Sequence, residues 1–294
     1  MMNSKPLLLI AIIIASCGCL NTLQTINSKL AYPTITTADT NATPTVAKDG
    51  YIIGVHNNQR FGINKSGDMQ MMEQLVKIYS KYDILALQEI VDVTGTSPRK
   101  LDTMLTSQTY IISERVGRTT YKEQYAYYYN PSTVQLIASG TYPDRYDLFE
   151  REPFMGYFKI GNKDIIFIQC HTKPEDAEKE IRNLKVVVDY YKTQYPNEED
   201  IIILGDLNAD CSYFQDNNMV LKEYTWTVTD NYDTTVGNTI CAYDRILISG
   251  SLNGILVGNA TVDRFDTQLN LTQDQAKEIS DHYPVYIRLL KEDN

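Results

Sequence analysis

The segment Ile201–Phe214, IIILGDLNADCSYF, constrains this chain more than any other. Its first four residues are apolar and three are β-branched, the make-up of a strand buried on both faces. Gly205 then permits a tight turn, and a carboxylate (Asp206) precedes a carboxamide (Asn208) by two positions. In extended backbone, residues i and i+2 point to the same side. Both oxygen-bearing side chains are therefore expected to face one site at the end of a buried strand. Hard oxygen donors there suit Mg²⁺, Mn²⁺ or Ca²⁺. Gly, Asp and Asn are also ordinary turn residues, so the same letters suit a plain strand-to-turn junction. The rest of the chain has to decide.

The pattern of an apolar strand with polar residues at one end recurs. YIIGV precedes Asn57, YDILALQEI ends in Gln88 and Glu89, and KDIIFIQCH ends at His171. An acid closing a buried strand must be paired, hydrated or bound to a metal. CAYDRILIS places Asp244 at a strand start, and in SDHYPVYIRLL Asp281 and His282 enter the final strand. Tyr110–Tyr129 reads as two strand-like segments around a basic, hydroxyl-rich turn, and Arg151 in FEREP follows a polar loop and precedes another strand. SLNGILVGNATV is expected to add strand. Helical spacing links Met69, Met72, Leu75, Val76 and Tyr79, and again Ala177, Ile181, Leu184, Val188 and Tyr191. QDQAKEIS reads as a short helix. The second long helix joins two buried strands, which is βαβ logic and makes them parallel neighbours.

The N-terminus has one Lys followed by an apolar run from Leu7 to Ala15, too short to span a bilayer. It fits a secretory signal, and Ile14-Ala15-Ser16-Cys17 equally resembles a lipobox in which Cys17 would be lipidated. Residues 1–20 are thus expected to be a signal and 21–49, which include eight Thr, a linker. The domain occupies 50–291. Either leader takes the protein out of the cytosol. Of the five cysteines, three lie beyond the leader, so one bridge and one leftover thiol are expected. The net charge of −10 argues against bulk attraction to nucleic acid, but bound divalent cations can reverse the local sign.

Two of the three histidines, His171 and His282, sit at strand boundaries beside Glu89, Asp206, Asn208 and Asp281. Phosphodiester hydrolysis needs such a set: oxygen ligands for a cation, a base for water and an acid for the leaving oxygen. No Ser-centred elbow or P-loop occurs.

LALQE, HTKPEDAEKEI, GDLNADCSY, CAYDRI and SDHYPV resemble, in order and spacing, motifs of the endonuclease/exonuclease/phosphatase superfamily. GRTTYKEQY, REP and DCSY narrow the resemblance to the secreted deoxyribonuclease I family, over about Tyr51 to Leu289. That resemblance implies a four-layer α/β sandwich of two mixed sheets flanked by helices, and a Mg²⁺- or Mn²⁺-dependent endonuclease acting on double-stranded DNA with little sequence preference. It implies Glu89 as principal metal ligand, with Asn57, Asp206, Asn208 and Asp281 around it. It pairs His171 with Glu123 and His282 with Asp244 as acid/base couples. Arg118, Tyr121 and Arg151 would hold DNA, Asp233, Thr235 and Thr239 a structural Ca²⁺, and Cys211 and Cys241 the essential disulfide. Three features depart from the family: its minor-groove arginine, two residues after the metal Glu, is Val91, its small second disulfide loop has no cysteines, and the N-terminal linker is not part of its pattern. A phosphodiesterase of the superfamily acting on a phospholipid or sugar phosphate is the first alternative. The second is a catalytically silent binding module, which the filled acid/base and metal positions disfavour.

Overall fold

The computed structural model describes residues 50–215 and 220–291; the expected leader and linker lie outside the described residues. Among the described residues, twelve strands form two six-stranded sheets. The first carries β1 (Gly50–Phe61), β2 (Ile84–Ile90), β3 (Thr109–Ile112), β4 (Gln124–Tyr129), β11 (Thr261–Val262) and β12 (Val285–Leu290), in the order β11-β12-β1-β2-β4-β3. The second carries β5 (Val134–Thr141), β6 (Phe154–Ile160), β7 (Lys163–Gln169), β8 (Ile201–Asp206), β9 (Tyr224–Trp226) and β10 (Asp244–Ser249), in the order β5-β6-β7-β8-β10-β9. Two pairs at the middle of the sheets, β1–β2 and β7–β8, are parallel and the others antiparallel. The architecture is the expected α/β sandwich of two packed mixed sheets.

Strand periodicity explains the layers. Ile202 and Leu204 of β8 join Ile53, Val55, Ala86, Tyr127 and Phe167 in the core between the sheets. Ile201 and Ile203 point the other way, onto Ile181, Leu184 and Val188 of the helix Ala177–Gln194. A strand covered on both faces is why the run IIIL shows no polar alternation. On the outer face of the first sheet, Leu85 and Leu87 pack with Met72 and Leu75 of the helix Met69–Tyr79, Leu101 of the helix Thr96–Met104 and Ala276 of the helix Gln273–Ile279. Burying each such Leu or Ile contributes about 1.5–3 kcal/mol.

Three local expectations are corrected. Val134–Thr141, read as loop, is a strand whose residues alternate between partly buried and exposed along much of its length, an edge position that needs little apolar content. SLNGILVGNATV is mostly not strand: a 3₁₀ segment spans Gly250–Ile255 and β11 holds only two residues. The first strand does not stop near Asn57 but continues to Phe61 through a register shift against β2, with Gln59 and Arg60 at positive φ. Such a bulge re-aims the side chains beside it.

Candidate active site

The polar residues sit at one end of the central strands of both sheets, and two glutamines tie those ends together. Gln88 donates from Nε2 to the Cys170 carbonyl at 2.8 Å and accepts the Asp206 N–H at 2.8 Å. Gln169 donates to the Leu87 carbonyl at 3.0 Å. Gly205 does not make the turn its sequence context suggested. It stays in β8 at φ 154°, because a Cβ there would stand 1.8 Å from the Cys170 carbonyl oxygen. Only glycine lets β8 approach so closely.

Asn57 lies between the sheets. Its Nδ2 donates to Glu89 Oε1 and to Asp206 Oδ2, each at 3.0 Å. Two carboxylates are thus gathered around one neutral amide. Asp206 and Asn208 share the site, but not through the pleat. The strand ends at Asp206 and Asn208 adopts φ 48°. Its N–H donates to Asp206 Oδ1 at 3.1 Å and its amide to the Thr172 carbonyl at 3.1 Å, so a turn aims it. Glu89 also accepts the Arg60 N–H at 2.8 Å and the Tyr121 hydroxyl at 3.2 Å through Oε2. Asp281 is half exposed, with Oδ1 3.9 Å from His282 Nε2.

Both histidine couples are present. His171 Nδ1 is 2.8 Å from Glu123 Oε1, and His282 Nδ1 is 2.7 Å from Asp244 Oδ2. Each Nδ1 carries the proton given to its carboxylate, leaving both Nε2 atoms toward the site. They converge on one atom, Asp206 Oδ2, at 3.6 Å from His171 and 3.5 Å from His282. Burial disfavours charge on both rings, yet Glu123 and Asp206 outweigh it and raise the His171 pKa. At His282 burial is likewise opposed by Asp244 and Asp206, which lift its pKa well above the ordinary value. Burial pushes the Glu123 carboxyl up, but the charges of His171 and Arg151 bring it below the usual range.

The three side chains expected to meet DNA differ in position. Arg151 is 12 % exposed, with Nε 3.1 Å from Glu123 Oε2 and Nη1 donating to the His171 carbonyl at 3.2 Å. It lies behind the His171 couple and holds it. Arg118 is paired with Asp147 at 2.7 Å on the surface. Tyr121 is partly exposed, and the Arg60 guanidinium lies 5.9 Å from its ring centroid. Val91 lines a cavity of about 570 Å³ with Arg60, Lys65, Ile63 and Val93.

Cys211 and Cys241 are joined, with Cα atoms 6.0 Å apart, and Cys170 is a buried free thiol. In the loop before Cys241, Asp233 Oδ1 accepts the Thr235 N–H at 3.1 Å and its hydroxyl at 2.9 Å; that hydroxyl also lies 2.6 Å from the Thr239 carbonyl. Thr235 forms a β-bridge with His282. Sequence reasoning gave no role to Gln88, His56 or Lys65. Lys65 donates to the carbonyls of Asn58 at 2.9 Å and Ile279 at 2.6 Å, and burial lowers its pKa to about 8. Burial lowers that of His56 to about 3. Their partners are main-chain carbonyls, one main-chain N–H and a distant tyrosine, which leave no local motif.

The donor set fits a hard divalent cation. Glu89 and Asp206 are like charges held around a single amide, the nitrogen of Asn57, while the Asn57 oxygen accepts the Gln59 N–H at 3.0 Å. Asp206, Asp244 and His282 also offer atoms within 4.8 Å of one another.

Two sheets closing on paired His–carboxylate couples define the class: the chain belongs to the Endonuclease/Exonuclease/phosphatase family, whose sequence signature matches residues 57–282. Solved structures share the fold. The family protein from Bacteroides thetaiotaomicron superposes with a TM-score of 0.57 at 16 % identity, covering 84 % of this chain and 100 % of its own. A mannosyl-6-phosphatase from the same organism gives 0.56 at 16 %, covering 82 % and 99 %. Within the family, this chain is a deoxyribonuclease I-like member. Deoxyribonuclease-1-like 1 of Cricetulus griseus is 36 % identical over 257 residues, 82 % of this chain and 84 % of that protein. Deoxyribonuclease gamma of Mus musculus is 34 % identical over 261 residues, 79 % and 82 % of the two.

Proposed function

We propose that this protein is a secreted or surface-tethered endonuclease that uses a divalent cation to hydrolyse double-stranded DNA with little sequence preference. The observation that carries the reading is the convergence of two imidazole Nε2 atoms, each backed by its own buried carboxylate, on Asp206 Oδ2. The 34–36 % identity to proteins named as deoxyribonucleases supplies the substrate class.

Glu89, with Asn57, Asp206, Asn208 and Asp281 around it, would hold Mg²⁺ or Mn²⁺. Bound there, the cation would neutralise the scissile phosphate and offset this chain's negative charge. The remaining work falls to the protein. Glu123 holds the Nδ1–H of His171, leaving Nε2 to take a proton from the attacking water. As water oxygen bonds to phosphorus and the P–O bond breaks, His282 Nε2 gives its proton to the leaving oxygen. This division follows from the environments. Arg151 beside Glu123 opposes charge on His171, whereas His282 faces three carboxylates, Asp244, Asp206 and Asp281, and holds its proton more firmly. Asp233, Thr235 and Thr239 offer the oxygens of a Ca²⁺ site that would steady the loop against His282. Residues 1–20 would direct export, with Cys17 as the lipid anchor if the lipobox is used.

Plasmid nicking with and without chelator tests the reading, with sphingomyelin and mannose 6-phosphate as parallel substrates. Metal-dependent conversion of supercoiled to open-circular DNA is expected, with little turnover of the other two. Preferred hydrolysis of either would overturn it. Ca²⁺ at millimolar concentration is expected to raise the melting temperature by binding only the folded state.

A further inference from the structure

His56 is fully buried on the helix-facing side of β1. Its Nε2 lies 2.9 Å from the carbonyl oxygen of His282 and its Nδ1 lies 2.7 Å from the hydroxyl of Tyr79, at the end of the helix Met69–Tyr79. A carbonyl can only accept, so Nε2 carries a proton. Neither partner is charged, and the Phe265 ring packs at 6.2 Å, so nothing nearby compensates an imidazolium. In the neutral ring Nδ1 is an acceptor, and the Tyr79 hydroxyl donates to it. The geometry therefore selects one tautomer. A phenylalanine would fill this core position without needing a partner. The imidazole instead reaches the main chain of a residue that faces the reacting phosphate.

We propose that His56 is a positioning residue for His282, and that Tyr79 fixes the tautomer in which it works. This rests on the role given to His282 above. The main chain of His282 is held on every side. Its N–H donates to Ser280 Oγ at 3.1 Å, its carbonyl accepts from His56, and the next N–H, of Tyr283, donates to the Thr234 carbonyl at 2.7 Å. Ser280 in turn donates to the Asn57 carbonyl at 2.6 Å. The strand that presents Asn57 is thus laced to the segment that presents Asp281 and His282. Among these ties His56 is the one that holds the His282 carbonyl. Without it the carbonyl is buried without that donor, the 282–283 peptide plane can tilt, and the ring swings away from the point it shares with His171. A lost alignment of this kind lowers turnover more than substrate binding.

The test uses the wild-type protein with His56→Phe, which keeps an aromatic ring but is larger, and Tyr79→Phe, which removes only the hydroxyl. Long-range ¹H–¹⁵N correlation on the wild type is expected to show His56 as the Nε2–H tautomer at neutral pH. His56→Phe is expected to lower kcat on plasmid DNA by roughly tenfold or more, with KM within about twofold. Tyr79→Phe is expected to cost about threefold and to shift the His56 Nδ1 resonance toward its unbonded value. A wild-type His56 protonated at Nδ1 overturns the proposal. So does a folded His56→Phe with unchanged kcat, in which only the melting temperature falls. If His56→Phe does not fold, unchanged kcat in Tyr79→Phe overturns it. A wild type without nuclease activity would instead defeat the functional reading, while the tautomer is still read directly.

Discussion

The two histidine couples match at the ring and differ behind it. His171 and His282 stand 2.8 and 2.7 Å from their carboxylates. Behind His171, Glu123 is shared with Arg151, so a buried cation balances the acid. Behind His282, no basic side chain among the described residues pairs with Asp244. The support there is instead main-chain and covalent: Ser280, His56, the Thr235 bridge and the nearby Cys211–Cys241 link. One geometry is reached by balancing charge, the other by lacing backbone. The first spreads the pull of the acid over two partners and leaves an imidazole that gives up its proton more readily. The second concentrates that pull.

The largest effect expected is on rate. His171→Ala and His282→Ala should each lower DNA cleavage by about 10²–10⁴-fold, measured by single-turnover nicking, with folding retained. If either variant keeps near wild-type rates, that couple is not part of the chemistry. Removing the supports should then separate the couples by stability. Arg151→Met leaves Glu123 with His171 as its only charged partner and should cost about 3–5 kcal/mol in urea unfolding, a loss that Glu123→Gln in the same chain largely restores. Cys241→Ser opens a link spanning a sequence separation of 30 and should cost about 3–4 kcal/mol. A loss at Arg151 that Glu123→Gln does not repair would show that the pairing of charge is not its function.

The pH dependence separates the couples further. Both imidazoles have folded pKa values above their ordinary 6.5, so their contribution to stability is complete below that value and fades as pH rises through the folded one. Glu123 has a folded pKa below its ordinary 4.5, so its contribution is present above 4.5 and fades as pH falls. On the two couples alone the chelator-treated protein should melt highest between about pH 4.5 and 6.5, and His56, whose pKa burial lowers to about 3, should move that maximum to the upper end of the window. Asp244→Asn should flatten the alkaline decline more than Glu123→Gln does, because His282 is raised further. Equal flattening would break the distinction. The smallest effect belongs to Val91, whose cavity already holds Arg60. Val91→Arg should steepen the salt dependence of duplex binding by about one unit of slope. An unchanged slope would mean this wall does not face DNA.

The framework of the site was legible because its residues end buried strands: Glu89, His171 and Asp206 each close an apolar run, a local pattern. Asn208 was legible as a participant but not in its geometry, since a positive φ leaves no mark in an Asp-Leu-Asn triplet. The bulge after Asn57 and the edge strand β5 escaped for related reasons, one set by pairing across the sheet and the other by a half-exposed position that tolerates polar residues. Pairings such as Glu123 with His171 came only through resemblance, because 48 residues separate them. The deeper supports were hidden. His56, Lys65 and Gln88 act on carbonyls and amides, which every residue carries.

The glutamine ties between the sheets have a mechanical consequence. Gln88 and Gln169 cross from one sheet to the other, as does Asn57, so the reacting groups belong to two slabs that can shear against each other. One strand residue is about 3.3 Å of travel, comparable to every contact that defines the site. A slip far smaller than unfolding would carry His282 and Asn57 past Asp206 and disperse the proton path while leaving each sheet whole. The cleavage reaction is therefore a strain gauge for the apolar layer between the slabs, where a void left by Ile202→Ala or Phe167→Leu should register first as lost turnover.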